Sequence, residues 1–147
     1  MAFAVTSPAF SEGAAVPTRF TCDGNDVPPP IRVSDPPKGT KSFAVIMDDP
    51  DAPRGTFTHW LAYDIPASTP DLKVDSAKTL RNSFGRDGYG GPCPPPGHGP
   101  HRYFFRVYAV DEVSLPIAGE TRQDLESALE EHTLANAELM GRYERAR

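Results

Sequence analysis

The chain has 147 residues, of which 38% are hydrophobic, and it carries a formal net charge of -5. A chain of this length is expected to fold as one domain, residues 1–147, with a true hydrophobic core. Its Lys and Arg residues are scattered along the sequence, which argues against nucleic acid or an acidic membrane surface as a partner. The 12 glycines and 17 prolines stay below the fraction that is typical of low-complexity disorder.

The first part of the chain predicts short strands. Weak β-type runs occur at residues 3–6, 16–21 and 30–33. Clusters of Gly, Asn, Asp and Pro separate these runs, and such clusters favour turns.

Three longer runs alternate apolar and polar residues with a period of two, which is typical of strands with one buried face. They span residues 42–49, 57–65 and 101–110. A polar side chain ends the apolar face of each run, and these side chains would meet at one edge of a core if the strands pack side by side. They belong to Asp49, His59, His101 and Tyr103. Strict alternation also places Trp60 on the face opposite His59.

Residues 67–100 are expected to form a short turn or helix followed by a functional loop. A helix is predicted over residues 121–132, because Thr121 can cap it and the apolar residues recur at helical spacing. Residues 134–144 alternate as a strand would, but their propensity slightly favours helix. Together these patterns favour a mostly β fold, a sandwich or barrel with antiparallel connections.

The two cysteines, Cys22 and Cys93, lack the CxxC spacing of a zinc or redox motif. We expect free thiols, with a disulfide between them as the alternative if their loops meet. The N-terminus shows neither the basic nor the continuous apolar segment of a signal peptide, and no apolar run approaches 18 residues. These features predict a cytoplasmic protein without stable membrane insertion.

Two Pro-rich segments carry most of the functional information. The first is Asp48-Asp49-Pro50-Asp51-Ala52-Pro53, which is followed by His59-Trp60. The second is Gly90-Gly91-Pro92-Cys93-Pro94-Pro95-Pro96-Gly97-His98-Gly99-Pro100-His101-Arg102-Tyr103. Each couples a stiff turn to a histidine at the start of a strand, which predicts a small, rigid ligand pocket at the mouth of a sheet.

Both segments resemble the signature motifs of the phosphatidylethanolamine-binding protein family, and this resemblance implies a compact anion pocket. In one interpretation of that pocket, an aspartate orients and charges a histidine, and His59 and His101 donate N–H groups to an oxyanion. Backbone N–H groups near Gly91 and Cys93 and the Tyr103 hydroxyl would complete the site. In a second interpretation, a carboxylate contacts the ammonium of a zwitterionic head group. His98 is expected to be an exposed loop residue outside the site.

The resemblance covers almost the whole chain, and several further segments are similar to the bacterial and archaeal Raf-kinase-inhibitor-like branch: Phe20-Thr21-Cys22-Asp23-Gly24-Asn25, Asn82-Ser83-Phe84-Gly85 and Gly141-Arg142-Tyr143. It implies a large antiparallel sheet packed on a smaller sheet, one or two peripheral helices, and a strand over residues 134–144. The ligand-binding residues that it implies are Asp49, Asp51, Pro53, His59, Gly91, Cys93, His101 and Tyr103.

The resemblance also implies a binding protein and not an enzyme. Its ligand would be a small anion, either phosphate or a phosphoryl head group such as phosphoethanolamine, and its protein partner a kinase or protease that it regulates or inhibits. The alternative is a hydrolase or metal-binding protein that uses the Asp/His cluster. The chain has no G-x-S-x-G elbow and no H-E-x-x-H pair, so we predict no catalytic residue, cofactor or resident metal. A homodimer is compatible with the sequence.

Overall fold

Seven β-strands and one α-helix form the regular structure of the protein, for which a computed structural model describes residues 2–146. The strands are β1 (Ala4–Thr6), β2 (Arg32–Ser34), β3 (Ser42–Asp49), β4 (Phe57–Pro66), β5 (Lys78–Leu80), β6 (His101–Val110) and β7 (Thr133–Tyr143). The helix is α1 (Arg122–His132), and 3-10 turns span Thr18–Phe20 and Val74–Ser76. The three long predicted strands and the predicted helix are therefore confirmed.

The strands form two antiparallel sheets. The large sheet has the order β5-β4-β3-β6-β7, and β1 pairs with β2 in the small sheet. Val5 and Val33 of the small sheet share one core cluster with Phe43 and Phe105 of the large sheet. The small sheet therefore covers one side of the large sheet, which we name the sandwich face. This arrangement confirms the mostly β fold with a large sheet packed on a smaller one.

Helix α1 covers the other side of the large sheet, which we name the helix face. Leu125 and Leu129 of the helix pack in one cluster with Ile46 of β3. The helix begins after Thr121, because the Thr121 side chain accepts the backbone N–H of Asp124 and the Asp124 carboxylate accepts that of Thr121. Since both faces of the sheet are covered, all eight residues of β3 are buried.

A β-bulge in β4 changes which side chains share a face. The pairs Met47–Trp60 and Asp48–Thr58 leave His59 as an extra residue in β4. Both His59 and Trp60 consequently contact aromatic rings of the sandwich face. The prediction that Trp60 lies opposite His59 is wrong, because strict alternation does not hold across a bulge.

Three shorter segments differ from the pattern-based predictions. Residues 16–21 form a 3-10 turn instead of a strand, in which Phe20 and Thr21 donate backbone N–H groups three residues back. Residues 134–143 lie in β7, as the resemblance implies and against their helix propensity, and residue 144 follows the strand. Pairing along β6 outweighs a weak local preference. Strand β5 was not predicted, because three residues are too few to show an alternation of apolar and polar side chains.

Cys22 and Cys93 form a disulfide, so the prediction of free thiols is wrong. The bond joins an N-terminal turn to the Pro-rich loop that precedes β6. Two hydrogen bonds hold the same loops together: Cys22 N–H donates to Pro92 O at 3.1 Å, and Gly91 N–H donates to Asp26 Oδ1 at 2.7 Å. Glycine is required at position 91, because a Cβ there would clash with the backbone carbonyl oxygen of Phe20 and lie 2.9 Å from the Cα of Thr21.

Asp48 connects the sheet to the start of the helix. Its side chain is only 2% exposed and lies on the helix face. Asp48 Oδ1 accepts from Arg106 Nη2 at 3.0 Å, and Asp48 Oδ2 accepts from Arg122 Nη2 at 2.9 Å. Arg122, the first residue of α1, also donates to Thr58 Oγ1 at 3.0 Å. One buried carboxylate thereby links β3, β6 and α1.

Replacing Asp48 with Ala should lower the free energy of unfolding by about 3–5 kcal/mol, because two partly buried guanidinium groups lose their carboxylate. Urea unfolding of the variant and the wild type measures this difference. Glu138→Gln is the matched control, since Glu138 binds Arg106 at the surface and such a pair contributes about 0–1 kcal/mol. Equal losses in the two variants would contradict the anchoring role of Asp48.

Breaking the disulfide should lower the free energy of unfolding by about 4 kcal/mol, because the bond connects residues 71 positions apart and restricts the unfolded chain. Urea unfolding with and without a thiol reductant measures the loss. The double variant Cys22→Ser with Cys93→Ser should show the same loss and no response to the reductant. A wild type whose unfolding is insensitive to reduction would count against this bond as a source of stability.

Candidate functional site

A cavity of about 180 Å³ lies where β3 ends and β6 begins. It is small compared with the roughly 300–1,000 Å³ of sites that bind drug-sized ligands. Its lining residues are Asp49, Ala52, Pro53, Phe57, His59, Phe84, Cys93, Pro94, Pro95, His101 and Tyr103. The wall is thus largely apolar, and a few polar groups determine what the cavity can bind.

Six of the eight residues predicted from the sequence line this cavity: Asp49, Pro53, His59, Cys93, His101 and Tyr103. They arrive from three directions, namely the end of β3 and the turn after it, the bulge of β4, and the Pro-rich loop with the first residues of β6. The structure therefore brings the two Pro-rich segments together. Their binding of a ligand stays a prediction.

Asp51 and Gly91, the other two residues assigned from the sequence, do not line the cavity. Asp51 accepts hydrogen bonds from the backbone N–H, Nε and Nη2 of Arg102, each at 2.9 Å. These side-chain hydrogen bonds lower the pKa of Asp51 to about 2, although partial burial opposes them. The Gly91 N–H is already used by Asp26. Asp51 therefore holds the start of β6 through its ion pair with Arg102, and Gly91 holds the Pro-rich loop.

Five lining residues were not assigned from the sequence: Ala52, Phe57, Phe84, Pro94 and Pro95. All but Phe84 belong to the Pro-rich segments or to the strand face that carries His59. Phe84 arrives through a loop that is held by a hydrogen bond from Ser83 N–H to Thr58 O at 2.8 Å. Only its place in a segment that resembles the family could have indicated it.

A chain of three side chains runs from the buried end of β3 to the surface. Asp49 Oδ2 lies 2.6 Å from His101 Nδ1, and His101 Nε2 lies 2.6 Å from His98 Nδ1. Because a carboxylate can only accept, His101 donates from Nδ1. The Asp49 and His101 side chains are 4% and 2% exposed, so Asp49 fixes the orientation of a buried imidazole. His98 is exposed as predicted, but it belongs to this hydrogen-bonded chain.

Burial favours the neutral form of His59. Its Nδ1 lies 2.7 Å from Gly90 O, so Nδ1 carries the proton. Burial lowers the pKa of His59 below its usual value, although the Gly90 carbonyl and the charge of Asp49 act in the opposite direction. Its Nε2 forms no hydrogen bond within residues 2–146 and carries a lone pair. His59 therefore offers an acceptor at Nε2 and not the donor expected from the sequence.

Tyr103 offers a donor. Its hydroxyl is buried and has no hydrogen-bond partner among the residues that the structure describes. Burial raises the pKa of Tyr103 well above its usual value, and both the charge of Asp49 and the closeness of its carboxylate to the hydroxyl add to this effect, whereas the nearby backbone N–H of Cys93 opposes it. The hydroxyl consequently keeps its proton at the side of the cavity.

Potential metal ligands cluster elsewhere in the part of the chain that the structure describes. Asp111, Glu112 and His132 place ligand atoms within 4.8 Å of one another near the end of α1, and none of them lines the cavity. No helix within residues 2–146 combines the length and apolar character needed to span a bilayer.

Comparison with known proteins gives consistent matches over nearly the whole chain. The family model described as phosphatidylethanolamine-binding protein matches residues 6–144. A UPF0098 protein of Aquifex aeolicus is 50% identical over 96% of this chain and 88% of its own length. The UPF0098 protein PH1269 of Pyrococcus horikoshii is 44% identical over 95% of this chain and 75% of its own length.

Two solved structures share the fold. A protein from Chlamydia trachomatis, described as a putative phosphatidylethanolamine-binding protein homolog, CT736, superimposes with a TM-score of 0.88 at 37% identity and covers 98% of both chains. YbcL of E. coli, described as a new member of the mammalian PEBP family, gives a TM-score of 0.85 at 35% identity over 97% of this chain and 98% of its own. With sequence and structure in agreement, this chain belongs to the phosphatidylethanolamine-binding protein family.

Proposed function

We propose that the cavity binds a small oxyanion that retains one proton, such as hydrogen phosphate or a phosphomonoester. The Tyr103 hydroxyl is the observation that carries this proposal, because it is a buried donor beside the cavity without a partner. A buried polar group left without a hydrogen bond is unfavourable by about 1–3 kcal/mol. An acceptor in the cavity would remove this penalty, and the backbone N–H of Cys93 lies beside the same hydroxyl.

The aspartates of the first Pro-rich segment are compatible with an anion, because both are paired. Asp51 binds Arg102, and Asp49 binds the imidazole of His101. An unpaired carboxylate about 4 Å from an anion would repel it by roughly 4 kcal/mol at an effective dielectric constant of 20. When His101 is protonated, the Asp49–His101 pair is neutral, and the repulsion is removed.

His59 supports a ligand that carries a proton. The neutral ring accepts at Nε2, so it would bind the O–H of a protonated phosphoryl group and leave a fully deprotonated oxyanion with one contact fewer. The ligand would then donate to His59 and accept from Tyr103.

The cavity favours the phosphoryl end of a head group over its ammonium end. Both Asp49 and Asp51 already accept hydrogen bonds, so neither offers a free carboxylate to an ammonium. A volume of about 180 Å³ is too small for acyl chains. If the protein regulates a kinase or protease, as the resemblance suggests, the partner would have to present a phosphorylated or acidic side chain to this cavity.

We infer a binding protein and not an enzyme. Cys93 is oxidised, and Tyr103 carries the only hydroxyl among the lining residues that the structure describes. A tyrosine whose pKa is raised is a poor nucleophile, because little of it is deprotonated. The Asp49–His101 pair therefore orients a donor for the ligand in this proposal.

Phosphate should bind at pH 7 about tenfold or more tightly than sulfate, because sulfate has no proton to donate to His59. Tyr103→Phe should weaken phosphate binding about ten- to a hundredfold, the usual loss for one hydrogen bond to a charged group. Isothermal titration calorimetry measures both effects. Tyr108→Phe is the control, since Tyr108 lies on the helix face. Equal affinities for phosphate and sulfate would show that His59 does not contact the ligand. An unchanged phosphate affinity in Tyr103→Phe would show that phosphate does not bind in this cavity.

Sulfate affinity should increase as the pH falls from 8 to 5.5, because sulfate does not titrate there and any gain reflects imidazole protonation. Asp51, with a pKa of about 2, stays ionised throughout this range, and His59, whose pKa is lowered, contributes least. Calorimetric titrations should show a gain of about tenfold in the wild type and in His132→Ala, but not in His101→Ala. An affinity that is flat in pH would contradict a charged imidazole at the site.

A further inference from the structure

The His98 side chain is hydrogen-bonded to Nε2 of His101, the ring nitrogen through which His101 would contact a ligand. His101 Nδ1 is bound to Asp49, and His101 Nε2 is bound to His98 Nδ1, both at 2.6 Å. The two imidazole rings lie 4.8 Å apart, centre to centre, at an angle of 67°. Each ring nitrogen has one donor or acceptor site in the ring plane. In this arrangement His101 has no hydrogen bond left for an oxyanion.

We propose that His98 competes with the ligand for His101 Nε2, so that a phosphate-like oxyanion binds by displacing the His98 side chain. This inference rests on the function proposed above and adds a residue that determines how protonation controls affinity. His98 is not itself a contact of the bound anion.

Counting protons shows how the contact depends on pH. With both rings neutral, His98 Nδ1–H donates to the lone pair of His101 Nε2. One added proton leaves the contact intact, because a single hydrogen is still shared between the facing nitrogens. A second added proton would place hydrogens on both facing nitrogens and break the contact. The His98 side chain therefore remains hydrogen-bonded to His101 most firmly at high pH, and it is displaced most readily at low pH.

The loop around His98 allows the side chain to move without a change of backbone path. Gly97 and Gly99 have φ values of 75° and 90°, a region that favours glycine. His98 N–H donates to Pro95 O at 3.1 Å, and Gly97 N–H donates to Arg145 O at 2.9 Å, so hydrogen bonds anchor the backbone at His98 and at the residue before it. Since His98 is exposed, a displaced imidazole is hydrated and bears no burial penalty.

The other ionisable groups around the two histidines are either paired or have a pKa shifted away from the imidazole range. Burial raises the pKa of Tyr103, which keeps its proton, and lowers the pKa of His59, which disfavours its charged form. The remaining charges are paired, Asp51 with Arg102 and Arg145 with Asp23. A change of affinity between pH 8 and 5.5 that depends on position 98 therefore reports the contact between the two rings and its link to Asp49.

The test compares phosphate binding by the wild type, His98→Ala and the matched control His132→Ala, in which a histidine bound to Asp111 is removed far from the cavity. Calorimetry at pH 8, 7 and 5.5 gives the ratio of affinities at each pH, in which the ionisation of phosphate itself cancels. His98→Ala should bind about two- to tenfold more tightly at pH 8, the factor that corresponds to one net hydrogen bond. The ratio should approach one at pH 5.5, and His132→Ala should match the wild type throughout.

Nuclear magnetic resonance of the unmodified protein gives a second measurement. Without anion, the ring nitrogen signals of His98 and His101 should show the hydrogen bond that joins His98 Nδ1 to His101 Nε2. On addition of phosphate, the His98 signals should move to those of a free imidazole.

Three results would overturn the competition. Weaker phosphate binding by His98→Ala at every pH would show that His98 contacts the ligand. Equal phosphate affinities of His98→Ala and the wild type at every pH would show that His98 has no effect on binding. In either case the proposed function would stand. Failure of the wild type and the variant alike to bind phosphate would overturn the proposed function and the competition with it.

Discussion

The end of β3 imposes the strongest physical constraint on this protein, because it buries two neighbouring carboxylates in the centre of the sheet. The side chains of Asp48 and Asp49 are 2% and 4% exposed. A buried carboxylate without partners is strongly unfavourable, and pairing is the usual remedy. Consecutive residues of a strand point to opposite faces, so the two aspartates need partners on different sides of the sheet. Two arginines satisfy Asp48 on the helix face, and His101 satisfies Asp49 on the sandwich face.

This constraint couples the position of the helix to the cavity. Asp48 holds Arg122, the first residue of α1, while Asp49 orients the imidazole that lines the cavity. Both aspartates lie at the end of one strand, β3. The position of the helix and the position of the cavity therefore both depend on the end of that strand. The Pro-rich loop is held on the other side by the disulfide and by the Gly91–Asp26 hydrogen bond. Such preorganisation suits a small site whose few polar groups must face the ligand in fixed directions.

In the proposed function, each polar group of the cavity has a different role towards the ligand. Tyr103 would supply a donor, His59 an acceptor, and His101 the group for which His98 competes. Such a combination of donor and acceptor would favour a ligand that offers both in return. The charged residues nearest the solvent, Asp51 and Arg102, neutralise each other at the edge of the site.

The sequence by itself determined the long strands, the capped helix and the two Pro-rich segments, because hydrophobic period, capping residues and prolines act over a few neighbouring residues. Tertiary structure decided the rest. The bulge at His59 and the disulfide depend on which segments meet in space, which no local pattern records. For β7 the local signals conflict, since the alternation favours a strand and the propensity a helix, and pairing along β6 decides between them. The same holds for the roles of the polar side chains: Asp51 turns to Arg102, His59 becomes an acceptor through Gly90, and His98 joins the site through His101. Each of these outcomes follows from a hydrogen-bond partner that is distant in sequence or hidden within a loop, and a partner of that kind becomes visible only when the chain is folded.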